Sequence, residues 1–413
     1  MATKSKIKML AYGCPIPRDW NDYREPEWRN DNYITDEQYR YMQEGGITGC
    51  IALWEKREED TQLALGLAEK YGLEYWVRDQ INWDVLWDPT IFEREKDRYL
   101  NYLNYKSFAG VFITDEPDTS LYPNIRALKD AFEKVYGKMY NGFYTNLLPT
   151  YANDVTQLGA PYPEYIQQYI DVVDPDHVSF DHYPFEIAEK TKGMKDYYDY
   201  TRKDYFYNDA VVADACDKAG KEMWTFIESK NYCGRQTDID YDAFKFQYYV
   251  HLAYGSKAII HYTYWTWPGY APGDEKKPQK MAIMTQFGEK TENYYYCQEI
   301  QNNIHEFGDI MADCKRKETY ISWNNEEEVY FKKVAVKESK NFKSSAPLLV
   351  GEFTTKEGKN AYVIVNATDP YDKVSNRVKG DVKGTYYVDG NKITSNGLDI
   401  ELKPGQGIFI VED

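Results

Sequence analysis

Apolar residues in the first three-quarters of the chain fall into short, near-continuous runs. They are "IKMLAYG" (7–13), "GCIALW" (49–54), "EYWVRD" (74–79), "GVFIT" (110–114), "MYNGFYTN" (139–146), "HVSFD" (177–181), "MWTFIE" (223–228) and "AIIHYTY" (258–264). Runs of this kind, bounded by polar turns, are how strands buried on both faces read. Helical patterns separate them. Thr35 precedes "DEQYRYMQEGG" with Gln38 three residues on, a capping-box spacing closed by glycines. "EEDTQLALGLAEKYG" carries apolar residues at helical spacing and stops on Gly72. Further helical stretches fall near 91–106, 120–136, 162–172, 196–219, 241–255 and 290–312. Eight strand–helix units in strict alternation predict a closed (β/α)8 barrel, although the fifth run carries the weakest pattern. An open doubly wound sheet is the runner-up, but "YGCPIPRDW" stands where that fold would place a glycine-rich phosphate loop.

Beyond about residue 316 the period changes. "ETYISW", "VYFKKVAV", "PLLVGEFT", "NAYVIVNA", "GTYYVDG", "KITSNG" and "GIFIVED" are short runs separated by Asn, Gly and Lys turns. The expected division is a catalytic α/β barrel over 1–316 and an antiparallel β-sandwich over 317–413.

Composition narrows the partners. The 413 residues carry a formal charge of -17, which argues against nucleic acid and anionic membranes. No stretch approaches the ~18 apolar residues of a membrane helix. The start, "MATKSKIKMLAYG", lacks the apolar core of a signal peptide, leaving a cytoplasmic protein or a secreted one without its leader. Six cysteines (Cys14, Cys50, Cys216, Cys233, Cys297 and Cys314) are scattered without a CxxC pair and read as free thiols. Aromatics make up 16% of the chain, with 41 Tyr and 10 Trp; such rings suit sugar-stacking surfaces as well as a Tyr-rich core. Association into a homo-oligomer stays open.

In a (β/α)8 barrel the C-terminal strand ends form the active face. Past the first run stand Arg18, Asp19 and Trp20; past the third, Arg78, Asp79, Asn82 and Trp83. The fourth delivers Asp115 and Glu116, the fifth Asn146, the sixth Asp181, His182 and Tyr183, and the seventh Glu228. The eighth delivers Tyr262, Tyr264, Trp265 and Trp267, with Trp20, Trp54 and Trp83 weaker candidates as platforms. Glu116 and Glu228 end strands on opposite sides of the axis. One carboxyl to protonate a leaving oxygen and another to attack or activate water is what glycoside hydrolysis requires. A salt-bridged strand end or a helix N-terminus explains either residue alone. Asp115 could raise the pKa of Glu116 by like charge, or point to the other face of its strand and bind there. His182 or Tyr183 could hold Glu228 ionised, or His182 could be a satisfied core histidine; His177 and His261 read as structural. Arg18, Arg78, Lys230 and Arg235 suit an acidic or sulfated sugar, or pair with the many carboxylates. No HExxH, EF-hand or GxSxG motif is present, so neither a metal, a cofactor nor a serine triad is expected.

The stretches "GVFITDEP", "HVSFDHYPF" and "FQYYVHLAYGSKAIIHYTYW" resemble the clan A glycoside hydrolases, in a bacterial branch near the β-galactosidase type. The resemblance covers roughly 7–312 and extends to a small β-domain like those following such barrels. It implies a carbohydrate substrate, retention of configuration, Glu116 as acid/base and Glu228 as nucleophile. Many clan members carry Asn immediately before the acid/base, where this chain has Asp115. The carboxylate would accept the sugar 2-hydroxyl bond that an amide otherwise makes. The rivals are an inverting glycosidase, a carbohydrate-binding barrel without turnover, and a lyase or isomerase on acidic sugars.

Overall fold

The computed structural model describes residues 5–18, 32–53, 55, 57–78, 85–88, 90–138, 142–188, 198–230, 239–266 and 282–413. Eight parallel strands close into a barrel: β1 (Lys8–Tyr12), β2 (Gly49–Ile51), β3 (Glu74–Val77), β4 (Phe108–Asp115), β5 (Phe143–Leu147), β6 (His177–Phe180), β7 (Glu222–Glu228) and β8 (Ala258–Tyr262). Each pairs with the next in sequence, and β8 returns to β1 with Tyr262 opposite Tyr12. The alternating helices are α1 (Asp36–Glu44), α2 (Glu58–Tyr71), α3 (Thr90–Tyr102), α4 (Tyr122–Tyr136), α5 (Tyr162–Val173), α6 (Tyr205–Ala219), α7 (Tyr241–Ala253) and α8 (Glu292–His305). Local signals act as expected: the Thr35 hydroxyl accepts from the Gln38 N–H, and α2 stops where Gly72 turns left-handed. The barrel interior is filled by Leu10, Tyr12, Ile51, Trp76, Phe112, Tyr144, Trp224, Phe226, Ala258 and Ile260. Trp76 and Trp224 meet edge to face at 5.6 Å, so the barrel is a packed core and not a pore.

Two departures from regular strand geometry matter. Gly110 has φ 154°, and a Cβ there would lie 1.8 Å from the Gly142 carbonyl oxygen, so only glycine lets β4 and β5 approach. Between Phe112 and Thr114 the pairing with β5 then slips by one residue. Phe112 faces the interior before the slip, and Asp115, paired with inward-facing Asn146, faces it afterwards.

Some boundaries differ from expectation. The 196–219 pattern divides into the second strand of a hairpin (Phe185–Ala188 with Tyr198–Thr201) and α6. The 290–312 pattern breaks into α8 and a short helix, Gly308–Asp313. "VYFKKVAV" is not a strand. Its Phe331 instead stacks on Phe206 of α6 at 3.9 Å, so the apolar residues are spent on the barrel's helices, not on a ladder.

Antiparallel sheets of six and three strands, built from Lys315–Ser322 onward, form the C-terminal β-sandwich. The larger sheet lies on α7, whose residues Ala243 to Ala253 are all buried between barrel and sheet. Gly351 permits this docking: a Cβ there would meet the Ala253 carbonyl oxygen at 2.2 Å. The five described cysteines are free and buried, and no helix among the described residues is long and apolar enough to cross a membrane. Gly351→Ala is expected to destabilise the protein by about 1–3 kcal/mol through overpacking, read as a lowered urea midpoint.

Candidate active site

The C-terminal strand ends open on a cavity of about 200 Å³ lined by Tyr12, Asp115, Glu116, Asn146, Asp181, Tyr183, Phe226 and Tyr262. A larger cavity of about 440 Å³ lies at the opposite end of the barrel, among Lys6, Lys8, Glu74, Trp76 and Lys257. Its charges are satisfied internally: Lys8 pairs with Glu74, Lys6 with Asp313, and Lys257 donates to the Met311 and Cys314 carbonyls. That face of a barrel carries stability, whereas the smaller cavity gathers three carboxyls, Asp115, Glu116 and Asp181, and the chemistry belongs there.

The slip in β4 brings Asp115 inward, where the Tyr12 hydroxyl donates to its Oδ2 at 2.9 Å. Arg78 lies with its guanidinium 5.0 Å from the Phe112 ring and near enough to favour Asp115 ionised. Glu116 then turns left-handed at φ 51° while its N–H donates to the Asn146 carbonyl at 2.9 Å. A non-glycine residue in that region is strained, and such strain gathers at functional sites. Both carboxyls are open to the cleft yet walled by protein on their other sides. Burial raises the pKa of Asp115, against the pull of Tyr12 and Arg78. Burial, joined by the Asp115 charge, raises Glu116 to about 7, and a hydrogen bond with Asp181 limits that rise.

Asp181 is 4% exposed and accepts from Asn146 Nδ2 at 3.0 Å. Burial, followed by the charges of Glu116 and Asp115, raises its pKa well above the carboxylate range. Tyr183 stacks at a tilt on Tyr262, their centroids 5.0 Å apart, so two rings wall the same mouth.

Glu228 stands level with Tyr262 and Tyr12 in the barrel register, on the inward parity of Trp224 and Phe226. Its side chain is fully buried, behind the cavity lining and not on it, and its Oε2 accepts the Phe185 N–H at 3.3 Å. Arg202 lies close enough to interact with its charge. The pairing of β6 with β7 ends at Phe180 and Thr225, leaving the backbone of Phe226 and Glu228 without a strand on that side. Helix α7 supplies the missing partners. Gln247 accepts from the Glu228 N–H at 2.7 Å and donates to its carbonyl at 3.1 Å, and His251 Nε2 lies 3.1 Å from the Phe226 carbonyl. His251 is itself held by Asp209 and Tyr205.

Other expected site residues are placed elsewhere. Tyr264 and Trp265 are not platforms: both are buried in the layer between barrel and helices, Trp265 against Tyr33 at 5.1 Å. After β8 the chain turns back over the barrel rim, with the Tyr264 N–H donating to the Tyr12 carbonyl, and this carries both rings outward. His182 is fully buried between Tyr151 and Tyr205, its Nε2 3.6 Å from Asp204, and bonds to nothing in the mouth. Burial keeps it neutral. His177 stacks on Trp224 at 3.7 Å, and His261 bonds the Leu10 carbonyl and Tyr248, both in the core. Lys230 reaches over the Tyr262 ring at 5.5 Å, while Arg18 is exposed. Asp19, Trp20, Trp54, Asp79, Asn82, Trp83, Arg235 and Trp267 lie outside the described residues. Tyr12 and Phe226 were not anticipated as cavity residues; counting in twos from the strand interiors would have found both. Among the described residues no group of three or more His, Cys, Asp or Glu is arranged to hold a metal ion.

No family model and no curated protein matches the chain. Among solved structures it is similar to a family 51 α-L-arabinofuranosidase from Bifidobacterium longum, with a TM-score of 0.50 at 10% identity over 100% of this chain and 96% of that one. It is similar also to the GH39 enzyme from Xanthomonas axonopodis pv. citri (TM-score 0.49, 10% identity, 100% of this chain and 94% of that). A β-galactosidase from the psychrophilic Marinomonas ef1 gives 0.43 at 9% identity, with 72% of this chain spanning 59% of that one. The barrel fold expected from the resemblance is borne out by the eight closed parallel strands and by the likeness to the arabinofuranosidase.

Because burial raises Glu116 in the folded state, its protonated form is the one folding favours. Stability from this group is full below the unfolded value near 4.3 and is lost as pH climbs through about 7. Glu116→Gln should therefore gain in melting temperature over the wild type as pH rises from about 5 to about 8. A constant difference across that range would refute the raised pKa.

Proposed function

We propose that the chain is a glycoside hydrolase acting on a carbohydrate through Glu116 and Glu228, with retention of configuration. The observation that carries this reading is Glu116 itself: a carboxyl at the active face of a barrel, open to a tyrosine-walled cleft, with its pKa at about 7. A carboxyl of that acidity carries its proton in about half of the molecules at neutral pH and can yield it, as a general acid must.

The sugar lies against Tyr183 and Tyr262, whose apolar faces suit its C–H surface. Glu116 gives its proton to the glycosidic oxygen as the bond to the anomeric carbon breaks. Glu228, which accepts the Phe185 N–H and lies near Arg202, attacks that carbon as a carboxylate. Water, deprotonated by Glu116, then releases the sugar and restores both groups. Since Glu228 is fully buried, attack requires Phe185 to draw away from it as the substrate enters. Asp115, held by Tyr12, is the acceptor for a sugar hydroxyl beside the anomeric carbon.

A panel of aryl glycosides tests the reading. Wild type should cleave at least one, and Glu116→Gln and Glu228→Gln should each lose about 10²–10⁴-fold in rate. Full activity in either variant removes that residue from the chemistry. Azide rescue of Glu228→Ala with an inverted glycosyl azide identifies the nucleophile, and an inverted sugar from the wild type points to direct attack by water.

A further inference from the structure

Four side chains behind Glu116 form a hydrogen-bond chain whose direction is set. Ser179 Oγ donates to Asn146 Oδ1 at 3.1 Å, which uses its single proton. The bond between Tyr144 and Ser179, at 2.9 Å, must therefore run from the phenol to the serine oxygen. With its oxygen occupied, Asn146 presents its amide N–H to Asp181 Oδ1 at 3.0 Å. The donors run toward Asp181, with the Asn146 amide also favouring Asp115 ionised, and Asp181 faces Glu116 across the same cavity. Among the described residues neither Asp181 nor Glu116 makes an ion pair. The Arg78 charge falls to Asp115, which also has the Tyr12 hydroxyl. Among the described residues Asp181 has amide donors, from Asn146 and its own backbone, but no cation, and it lies 4% exposed beside two other carboxyls.

We propose that Asp181 is a protonated carboxylic acid in the working protein and donates its O–H to Glu116, a positioning residue that sets the acidity of the proton donor. The proposal rests on the glycosidase reading for its purpose, but not for its test. Buried carboxyls without a cation keep their protons, and a hydrogen bond to the ionised form of a neighbour lowers that neighbour's pKa. The two acids then divide the work. Burial and Asp115 push Glu116 up, and the Asp181 hydroxyl holds it near neutrality, where it can both give and recover a proton. Among the described residues, Tyr12, Tyr183 and Tyr262 share the cavity with the pair, and Tyr144, Tyr151, Tyr162 and Tyr165 interact with the Asp181 charge or stand near it, the last four with pKa values raised by burial. Glu228 stands at the end of β7, and Arg202, which interacts with its charge, lies over the Tyr151 ring at 3.7 Å.

The test is a titration of the Glu116 carboxyl by carbon-13 NMR in the full chain without substrate, with the resonance assigned by its absence in Glu116→Gln. Asp181→Asn replaces one neutral donor by another and should leave the Glu116 midpoint within about half a unit of its wild-type value. Asp181→Ala, which deletes the donor, should raise that midpoint by about one unit or more. If Asp181 is ionised instead, both variants remove a negative charge and both midpoints fall, which overturns the proposal. Unchanged midpoints in both also overturn it, leaving Asp181 a purely structural residue. Should the Ala variant fail to fold, the infrared carbonyl stretch of a protonated acid at neutral pH, present in wild type and lost in Asp181→Asn, decides the matter alone. None of these readouts needs turnover, so a chain that cleaves no glycoside but titrates as described retains the acid pair and loses only the hydrolase reading.

Discussion

The one-residue slip between β4 and β5 is the constraint on which the cleft depends. Neighbouring side chains on a regular strand face opposite ways, so two adjacent carboxyls could not share one cavity. By pairing Phe112 and then Thr114 against consecutive residues of β5, the chain shifts its parity once, and Asp115 enters the interior. Glu116 follows in a left-handed conformation that swings it over the same opening. The slip has room to form because Gly110 and Gly142 let the two backbones close on one another just below it. Three carboxyls, Asp115, Glu116 and Asp181, therefore converge where a regular barrel would have offered two.

The opposite wall is built by a different device. Strand β7 outruns β6, and the uncovered backbone would cost free energy if left unpaired in the interior. Gln247 and His251, one turn apart on α7, take up those groups and fix the height of Glu228. The larger sheet of the β-sandwich in turn covers the outer face of α7. A line of packed contacts thus runs from the C-terminal domain to the end of β7, which gives that domain a mechanical reason to be present even if it never touches a substrate.

Much of this was legible in the chain. The eight runs and the helices between them follow from burial on both faces and from capping chemistry, which are local and leave a periodic trace. Glu116 and Glu228 were visible as polar interruptions at the ends of apolar runs. The platform residues were misplaced for a physical reason: Tyr264 and Trp265 follow β8, and nothing local says whether a chain leaving a barrel strand turns into the mouth or over the rim. Of the two readings of His182 the buried one holds, since the residue after Asp181 on an extended backbone faces the helices, where Tyr151 and Tyr205 enclose it.

By itself the sequence determined the alternation that closes a barrel, the change of period that begins the sandwich, and the identity of the acids at the strand ends. These depend on the order of apolar and polar residues over a few positions. Only the tertiary structure decided which acids share a space, that Asp115 turns inward, that Asp181 ends a directed chain of donors from Tyr144, and that Glu228 is covered. Each of those facts depends on residues about 30 to 110 positions apart, from Asp115 and Asn146 to Asp115 and Phe226, that meet because the barrel closes. Acidity follows the same division, since a carboxyl's proton affinity is set by what surrounds it in space.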